Sequence, residues 1–427
     1  MCIIACKDLS LNMRTIRQAR SLTRAGHAVT IVGFRVPDAR LAGEHEVATL
    51  VPTGTPHPSI VTMTKLWLTR HVLRDEAGLE RCAEAFVAAG GGRGGLFTRR
   101  AMAALGNRSF DVVQAHFDRS LIAGAALSRS CGAKLVFDAV EIPFDRELFP
   151  KPPAARAVRL AEIRREAEIA RHADGWITVN DALADAAMER FDIPRPLVLR
   201  NFQDEGPWRS DGRLRSDAGL TGDARILLHL NTMRPGEGVE TGIDALAHLP
   251  ADFHLVALGP MPEPGFRRKI RRYAAARGAA GRFHIAPLQP THAVLPYIAE
   301  ADIGIIARQG GRQNFRLSLP NRLFQLIAAR LPVVATRLPE IARIVESRGI
   351  GLLFDEADPA GLAAAVMKIM EPSALARYRE AADRAARAFT WDQESAAYVR
   401  FIEGLAEGRP LEAQSPPQAA LERVARG

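Results

Sequence analysis

The chain has 427 residues, with 57 Lys and Arg against 48 Asp and Glu, a formal net charge of +9, 47% hydrophobic residues and 25% charged ones. That length suits two or three domains whose core needs no disulfide or metal staples, and the composition excludes wholesale disorder and a fibrous architecture. Neither half carries the dense basic block of a dedicated nucleic-acid binder, so no nucleic-acid partner is expected, while a mildly positive surface suits phosphorylated substrates or an anionic membrane face.

From the N-terminus, Met1 leads into the short apolar stretch Cys2–Cys6 without the shape of a signal peptide, and no uncharged apolar run reaches the ~18–20 residues that span a bilayer. The scattered cysteines Cys2, Cys6, Cys82 and Cys131 form neither a disulfide framework nor a zinc pair, which fits a reduced, cytoplasmic compartment. Met13, Ile16, Ala19, Leu22 and Ala25 recur every three residues with Arg14, Arg17, Arg20 and Arg24 in the gaps, predicting an amphipathic helix closed by Gly26. Strands are predicted at Ala28–Phe34, Asp111–His116, Lys134–Asp138, Gly175–Asn180 and Pro196–Asn201. The irregular stretch from about 56 to 105, with Lys65, Arg70, Arg74, Arg99 and Arg100 among apolar residues, reads as a solvated helical insertion; the rival reading is a surface lying on a membrane or beneath a hydrophobic acceptor.

Asn201–Leu220 is polar and broken by Gly206, Pro207, Gly212 and Gly219, the composition of an interdomain linker. A second set of strands follows at Arg225–Asn231, Phe253–Gly259, Arg282–Leu288, Ile303–Arg308, Pro332–Thr336 and Gly349–Phe354. Strands alternating with helical patterns through both halves predict α/β architecture with two doubly wound parallel sheets. The domains are expected at 1–204 and 205–391, with a disordered tail at 408–427.

Gly90, Gly92 and Gly95 satisfy G-x-G-x-x-G, but a helical pattern rather than a strand precedes them, so the sequence reads as a flexible loop instead of a dinucleotide fingerprint. The chain has no H-E-x-x-H, G-x-S-x-G, P-loop or D-x-D, which removes the usual support for zincin, hydrolase and metal-diphosphate chemistry; no metal site and no cofactor are expected. The most informative segment is Ala307–Thr336. After a strand comes a loop with Gly310 and Gly311, then Ser318 as a candidate N-cap and a helix through Ala329. Such a helix N-terminus at the end of a parallel strand is an anion site, here crowded by Arg308, Arg312, Arg316 and Arg322.

That segment resembles the donor-binding motif of glycosyltransferase family 4, the glycosyl transferases group 1, in the variant S-x-P-N-K-x-x-E-x-x-A-x-G-x-P-V-V. Further segments are similar in the same order: Leu228–Glu240 to the family's R-x-G-x-G turn, Leu255–Pro260 and Gly281–Tyr297 to its second-domain strands, and Asp8–Gly33, Asp111–His116 and Asp138–Glu141 to its first domain. The resemblance spans roughly residues 1–405 and implies the GT-B architecture: two Rossmann-like domains facing a cleft, with a final helix, about 392–407, crossing back to the first.

It also implies a nucleotide-diphosphate sugar as donor substrate, held by Asn231, Gly236, Gly259, Leu288, Gly310, Gly311, Ser318, Asn321, Arg322 and Gln325, with His116, Arg234 and Gln325 in catalytic positions. Transfer is expected with retention and without metal. The acceptor side would be the N-terminal domain, with a lipid-linked or polysaccharide acceptor and peripheral contact with the inner membrane face.

The departures from the family pattern fall at the site. Leu317 and Gln325 stand where an E-x7-E pair is expected, and Glu237 where a phosphate-binding lysine is expected. Either the neighbouring arginines take over the phosphate, in which case Glu237→Lys tightens donor binding, or the site has lost its donor. The alternatives are thus a catalytically silent partner-binding protein and a sugar-nucleotide epimerase. His116, a lone histidine at a strand end, reads as structural without the resemblance and as facing the donor sugar with it. Asp138 and Glu141 read as helix-capping carboxylates.

Overall fold

The computed structural model describes residues 1–6, 12–33, 46–49, 76–141, 153–204, 206, 208–311 and 313–409. Arg312, the whole stretch from 50 to 75, with Lys65, Arg70 and Arg74, and the tail from 410 onward lie outside the described residues.

The short aliphatic runs become strands because a parallel sheet covered by helices on both faces must be apolar on both faces. β1 (Cys2–Ala5), β2 (Thr30–Gly33), β3 (Glu46–Thr49), β4 (Val112–His116), β5 (Lys134–Ala139), β6 (Gly175–Thr178) and β7 (Leu197–Val198) form one parallel sheet in the order β3-β2-β1-β4-β5-β6-β7. β8 (Arg225–Leu230), β9 (Phe253–Leu258), β10 (Phe283–Ile285), β11 (Ile303–Ile306), β12 (Val333–Thr336) and β13 (Gly351–Phe354) form a second, ordered β10-β9-β8-β11-β12-β13. Every predicted strand recurs. β1, formed by the short apolar stretch at the N-terminus, and β3, an edge strand reading Glu-Val-Ala-Thr, are added; with one large hydrophobe β3 carries little signal of its own.

The contacts divide the chain into unit 1, Met1–Arg200 with Ser395–Gly427, and unit 2, Asn201–Glu394. Each unit has its own core. In unit 1, Val113, Ala115, Leu135, Phe137 and Trp176 pack under the helices Gly92–Leu105 and Leu121–Cys131. In unit 2, Leu227, Leu255, Ile303 and Val334 pack against the helices Val239–Ala245, Phe266–Ala276 and Pro359–Met370. The stretch read as a linker joins unit 2: Phe202 is buried between Phe324 and Phe389, at ring distances of 4.7 and 4.8 Å.

Strand order reverses between β1 and β4 in the first sheet and between β8 and β11 in the second. Open α/β sheets bind ligands at the carboxyl ends of strands flanking such a reversal, because adjacent connections leave in opposite directions and open a crevice. These two points are therefore where functional side chains are expected. Among the described residues no helix is long and apolar enough to cross a membrane.

Candidate functional site

In unit 2, the turn after β8 and the segment after β11 meet around one carboxylate. Glu237 is 1% exposed. It accepts hydrogen bonds from Asn231 Nδ2 at 2.9 Å, Arg234 NH2 at 2.9 Å and Arg308 Nε at 3.2 Å. Arg308 also donates to Ser318 Oγ at 2.7 Å, and its guanidinium lies 4.2 Å from the centre of the Phe315 ring. Arg322, in the first turn of the helix Asn321–Ala328, donates to Thr232 Oγ1 at 3.1 Å. Burial alone would raise the Glu237 carboxyl, but Arg308, Arg322 and the Asn231 amide hold it down to about 2. Burial, opposed by Glu237 and reinforced by Arg308 and Arg234, lowers Arg322 to about 10, so it stays charged at neutral pH.

Three guanidinium groups around one carboxylate leave an excess of two positive charges at the switch point. Arg234 is the accessible member, with its side chain 40% exposed against 10% for Arg308. The lysine expected at position 237 is thus replaced by a carboxylate that braces two arginines. Beneath the turn lies His229, fully buried on β8, with neither ring nitrogen hydrogen-bonded among the described residues; burial, with Arg322 nearby, lowers its pKa to about 4 and keeps it neutral.

The other predicted donor-site residues divide. Gly259, with φ +150°, sits where a side-chain Cβ would run into the Asn231 carbonyl, so the glycine lets the end of β9 close on the end of β8. Gly236 is in the left-handed region at φ +83°, and its carbonyl accepts from the Gln309 amide at 3.2 Å. The Gly310 amide is committed to Glu356 Oε2 at 2.6 Å, whereas Gly311 is exposed. Leu288 is 64% exposed. Asn321 is exposed and Gln325 half-buried, and neither side chain is hydrogen-bonded among the described residues. Ser318 is not a helix cap: the helix starts after Pro320, and the Ser318 hydroxyl accepts from Arg308 instead.

His116 belongs to unit 1, at the carboxyl end of β4, and is fully buried. Its Nδ1 is 2.9 Å from Asp138 Oδ2. Asp138 also accepts from Arg14 Nε at 3.0 Å, Arg14 NH2 at 2.9 Å and Gln18 Nε2 at 2.8 Å, so it anchors an interior network rather than capping a helix. The next residue, Phe117, has φ +65° and ψ 159°, a region that costs a non-glycine residue about 1–3 kcal/mol. Arg14 and Arg17, which the amphipathic pattern places on a polar face, are 3% and 4% exposed. The network was not legible because the partner of Arg14 lies 124 residues away.

The glycine run at 90–95 is not a flexible loop either. Gly92 opens the helix Gly92–Leu105, whose free amides at Arg93 and Gly94 donate to Glu162 Oε1 at 2.7 and 3.3 Å. A Cβ on Gly92 would strike that same oxygen, so the run forms a helix N-terminus already filled by an internal anion.

Arg159 gathers Glu162, Glu166 and Asp118 beside it, at 3.3, 3.0 and 3.2 Å. Burial, opposed by Arg159 and aided by Asp118 and Glu162, raises Glu166 to about 7. A carboxyl raised in the folded state binds more protons there than when unfolded, so stability falls as pH rises from the unfolded value near 4.5 to about 7. Glu166→Gln is therefore expected to raise the melting temperature at pH 8 and to leave it unchanged near pH 4.5. A pH-independent effect in paired thermal scans would refute this assignment.

Residues 224–372 match the family described as Glycosyl transferases group 1. A D-inositol 3-phosphate glycosyltransferase of Xylanimonas cellulosilytica is 26% identical over 238 residues, 53% of this chain and 54% of that protein. The chain thus spans about half the length of the curated relatives it matches. Among solved structures, the sucrose-phosphate synthase of Thermosynechococcus elongatus superposes with a TM-score of 0.69 at 16% identity, over 95% of this chain and 99% of that one. Anabaena HepE in complex with UDP-glucose gives 0.65 at 14% identity, over 94% and 99%. The fold is GT-B, and unit 2 carries the group 1 segment.

Proposed function

We propose that this chain is a glycosyltransferase that takes a sugar from a nucleoside-diphosphate sugar bound in unit 2 and passes it to an acceptor bound by unit 1. The observation that carries the reading is the excess of two positive charges from Arg234, Arg308 and Arg322 around Glu237, at the switch point of the unit matching the group 1 family. A diphosphate leaving group gains negative charge as the sugar departs. Cations already fixed in a half-buried site stabilise that charge without reorganising at the moment of reaction.

Arg234 and Arg322 are the members assigned to the diphosphate: Arg234 shares Glu237 with Arg308 but is the more exposed of the two, whereas Arg308 is held by Ser318 and Phe315 as well. Gln325, whose amide both donates and accepts, suits a sugar or ribose hydroxyl. Retention, independence from metal, a cytoplasmic location and a lipid-linked or polysaccharide acceptor belong to the same proposal and rest on the family resemblance.

The UDP-glucose held by HepE makes uridine diphosphate sugars the first donors to test, alongside guanosine and adenosine diphosphate sugars. One donor class is expected to raise the melting temperature and to bind in calorimetry. Charge-assisted hydrogen bonds contribute about 1.5–3 kcal/mol, so Arg234→Ala and Arg322→Ala should each weaken binding roughly ten- to a hundredfold. Silence across the panel, or unchanged affinity in both variants, would overturn the donor assignment. Leu317 and Gln325 in place of two carboxylates favour a second reading, a protein that binds the donor without transferring it. Binding with no turnover against candidate acceptors, in buffer with or without EDTA, would select that reading.

A further inference from the structure

The helix Phe266–Ala276 of unit 2 follows the sequence FRRKIRRYAAA. Phe266, Ile270 and Ala274 are buried at four-residue spacing, which turns the opposite face outward. That face carries Arg267, Arg268, Lys269, Arg271 and Arg272, all exposed. None of the five makes a hydrogen bond or ion pair among the described residues. Asp244 on the adjoining helix is taken by the Tyr273 hydroxyl at 2.7 Å and by Arg277 at 3.5 Å, and the exposed Glu263, just before the helix, forms no ion pair with any of the five. Overall composition hides this stripe, because a net charge of +9 over 427 residues looks mild.

Arg267, Arg268, Arg271 and Arg272, with Gly265 and Ala275, line a shallow groove along the helix. Arginine stems lie along apolar surface while their heads reach outward, an arrangement that meets a plane of phosphates above a less polar layer. The stripe offers nucleic-acid bases no free aromatic ring, since the ring of Tyr273 lies under Arg277 at 5.0 Å and its hydroxyl is bound.

We propose that this arginine stripe docks unit 2 onto an anionic lipid bilayer. None of the residues lining the groove is among those assigned to the sugar donor, and the docking requires no transfer activity. Each basic residue near an anionic surface contributes about 1 kcal/mol, roughly fivefold in partition, and the attraction is screened by salt.

The test is sedimentation of the full chain with phosphatidylcholine vesicles and with vesicles containing phosphatidylglycerol, at low and high salt. Binding is expected only with phosphatidylglycerol, weakening as salt rises. The quadruple variant Arg267→Gln, Arg268→Gln, Arg271→Gln, Arg272→Gln should lose several hundredfold. A charge-matched control with Arg377, Arg379, Arg384 and Arg387, on the helix Pro372–Ala388, changed to Gln should retain binding. Should the quadruple variant fold poorly, Arg268→Gln with Arg272→Gln alone should lose about twenty-five-fold. Equal binding to neutral vesicles, undiminished binding of the stripe variants, or loss in the control as large as in the stripe variant would overturn the proposal. So would tighter, stripe-dependent binding to duplex DNA than to the anionic vesicles.

Discussion

Glu237→Lys is expected to destabilise unit 2 by about 3–5 kcal/mol and to abolish high-affinity binding of a nucleotide sugar, the reverse of what the family pattern implies for this position. The carboxylate is 1% exposed and is the shared acceptor for Asn231, Arg234 and Arg308. A lysine there adds a cation among three guanidinium groups and removes the carboxylate that Arg234 and Arg308 share. The cost is of the kind seen when one partner of a buried ion pair is removed and the other is left uncompensated. Glu237→Gln keeps the shape and one acceptor oxygen, so it should lose less stability than the lysine variant while freeing Arg234. Chemical denaturation of the three proteins gives the stabilities, and calorimetry with the identified donor gives the affinities. A lysine variant as stable as the parent and binding donor more tightly would show that Glu237 is a relic rather than a brace.

The same carboxylate shows what sequence reveals and what it conceals. Strands buried on both faces leave aliphatic runs that stand out against their polar flanks, so β8, β11 and β12 were legible, as was the helix after β11 with Arg322 in its first turn. The short edge strand β3 was not, since Glu-Val-Ala-Thr lacks that contrast. Charge at position 237 was plain, yet its meaning depends on Arg308, 71 residues further on, and no local pattern records that pairing. Arg14 was misplaced for the same reason. Arginines in the gaps of an amphipathic helix are read as solvent-facing, and only the fold brings Asp138 to meet one of them. At the glycine run 90–95 the local pattern shows only a helix preceding the glycines. Its anion, Glu162, arrives from a helix about 70 residues away. Local periodicity therefore gives elements and candidate charges, whereas the long-range pairing that decides whether a charge binds substrate or braces the site comes from topology.

Asp138→Ala is expected to cost unit 1 about 3–5 kcal/mol, because it leaves the Arg14 guanidinium buried without its carboxylate. Arg14 is pinned by a third bond, from NH1 to the Leu199 carbonyl at 2.7 Å, so it has little freedom to turn toward solvent. The network runs on through Gln18 to Gln114, whose Oε1 accepts from the Tyr398 hydroxyl at 2.8 Å; the last helix is thereby tied to the interior of its own unit. Arg14 and His116 hold the Asp138 carboxyl well below the usual carboxylate range even though burial opposes them. A carboxyl depressed in this way contributes stability in full above its unfolded value near 3.9, and that contribution fades as pH falls below it. Asp138→Ala should therefore narrow the stability difference from the parent on acidification. Pairing it with Arg14→Met removes the stranded cation and should recover about 1–3 kcal/mol, a non-additivity measurable in a double-mutant cycle. Strictly additive losses would mean that Arg14 and Asp138 stabilise the unit independently and that the ion pair is not what orders the carboxyl end of β4, where His116 and the strained Phe117 stand.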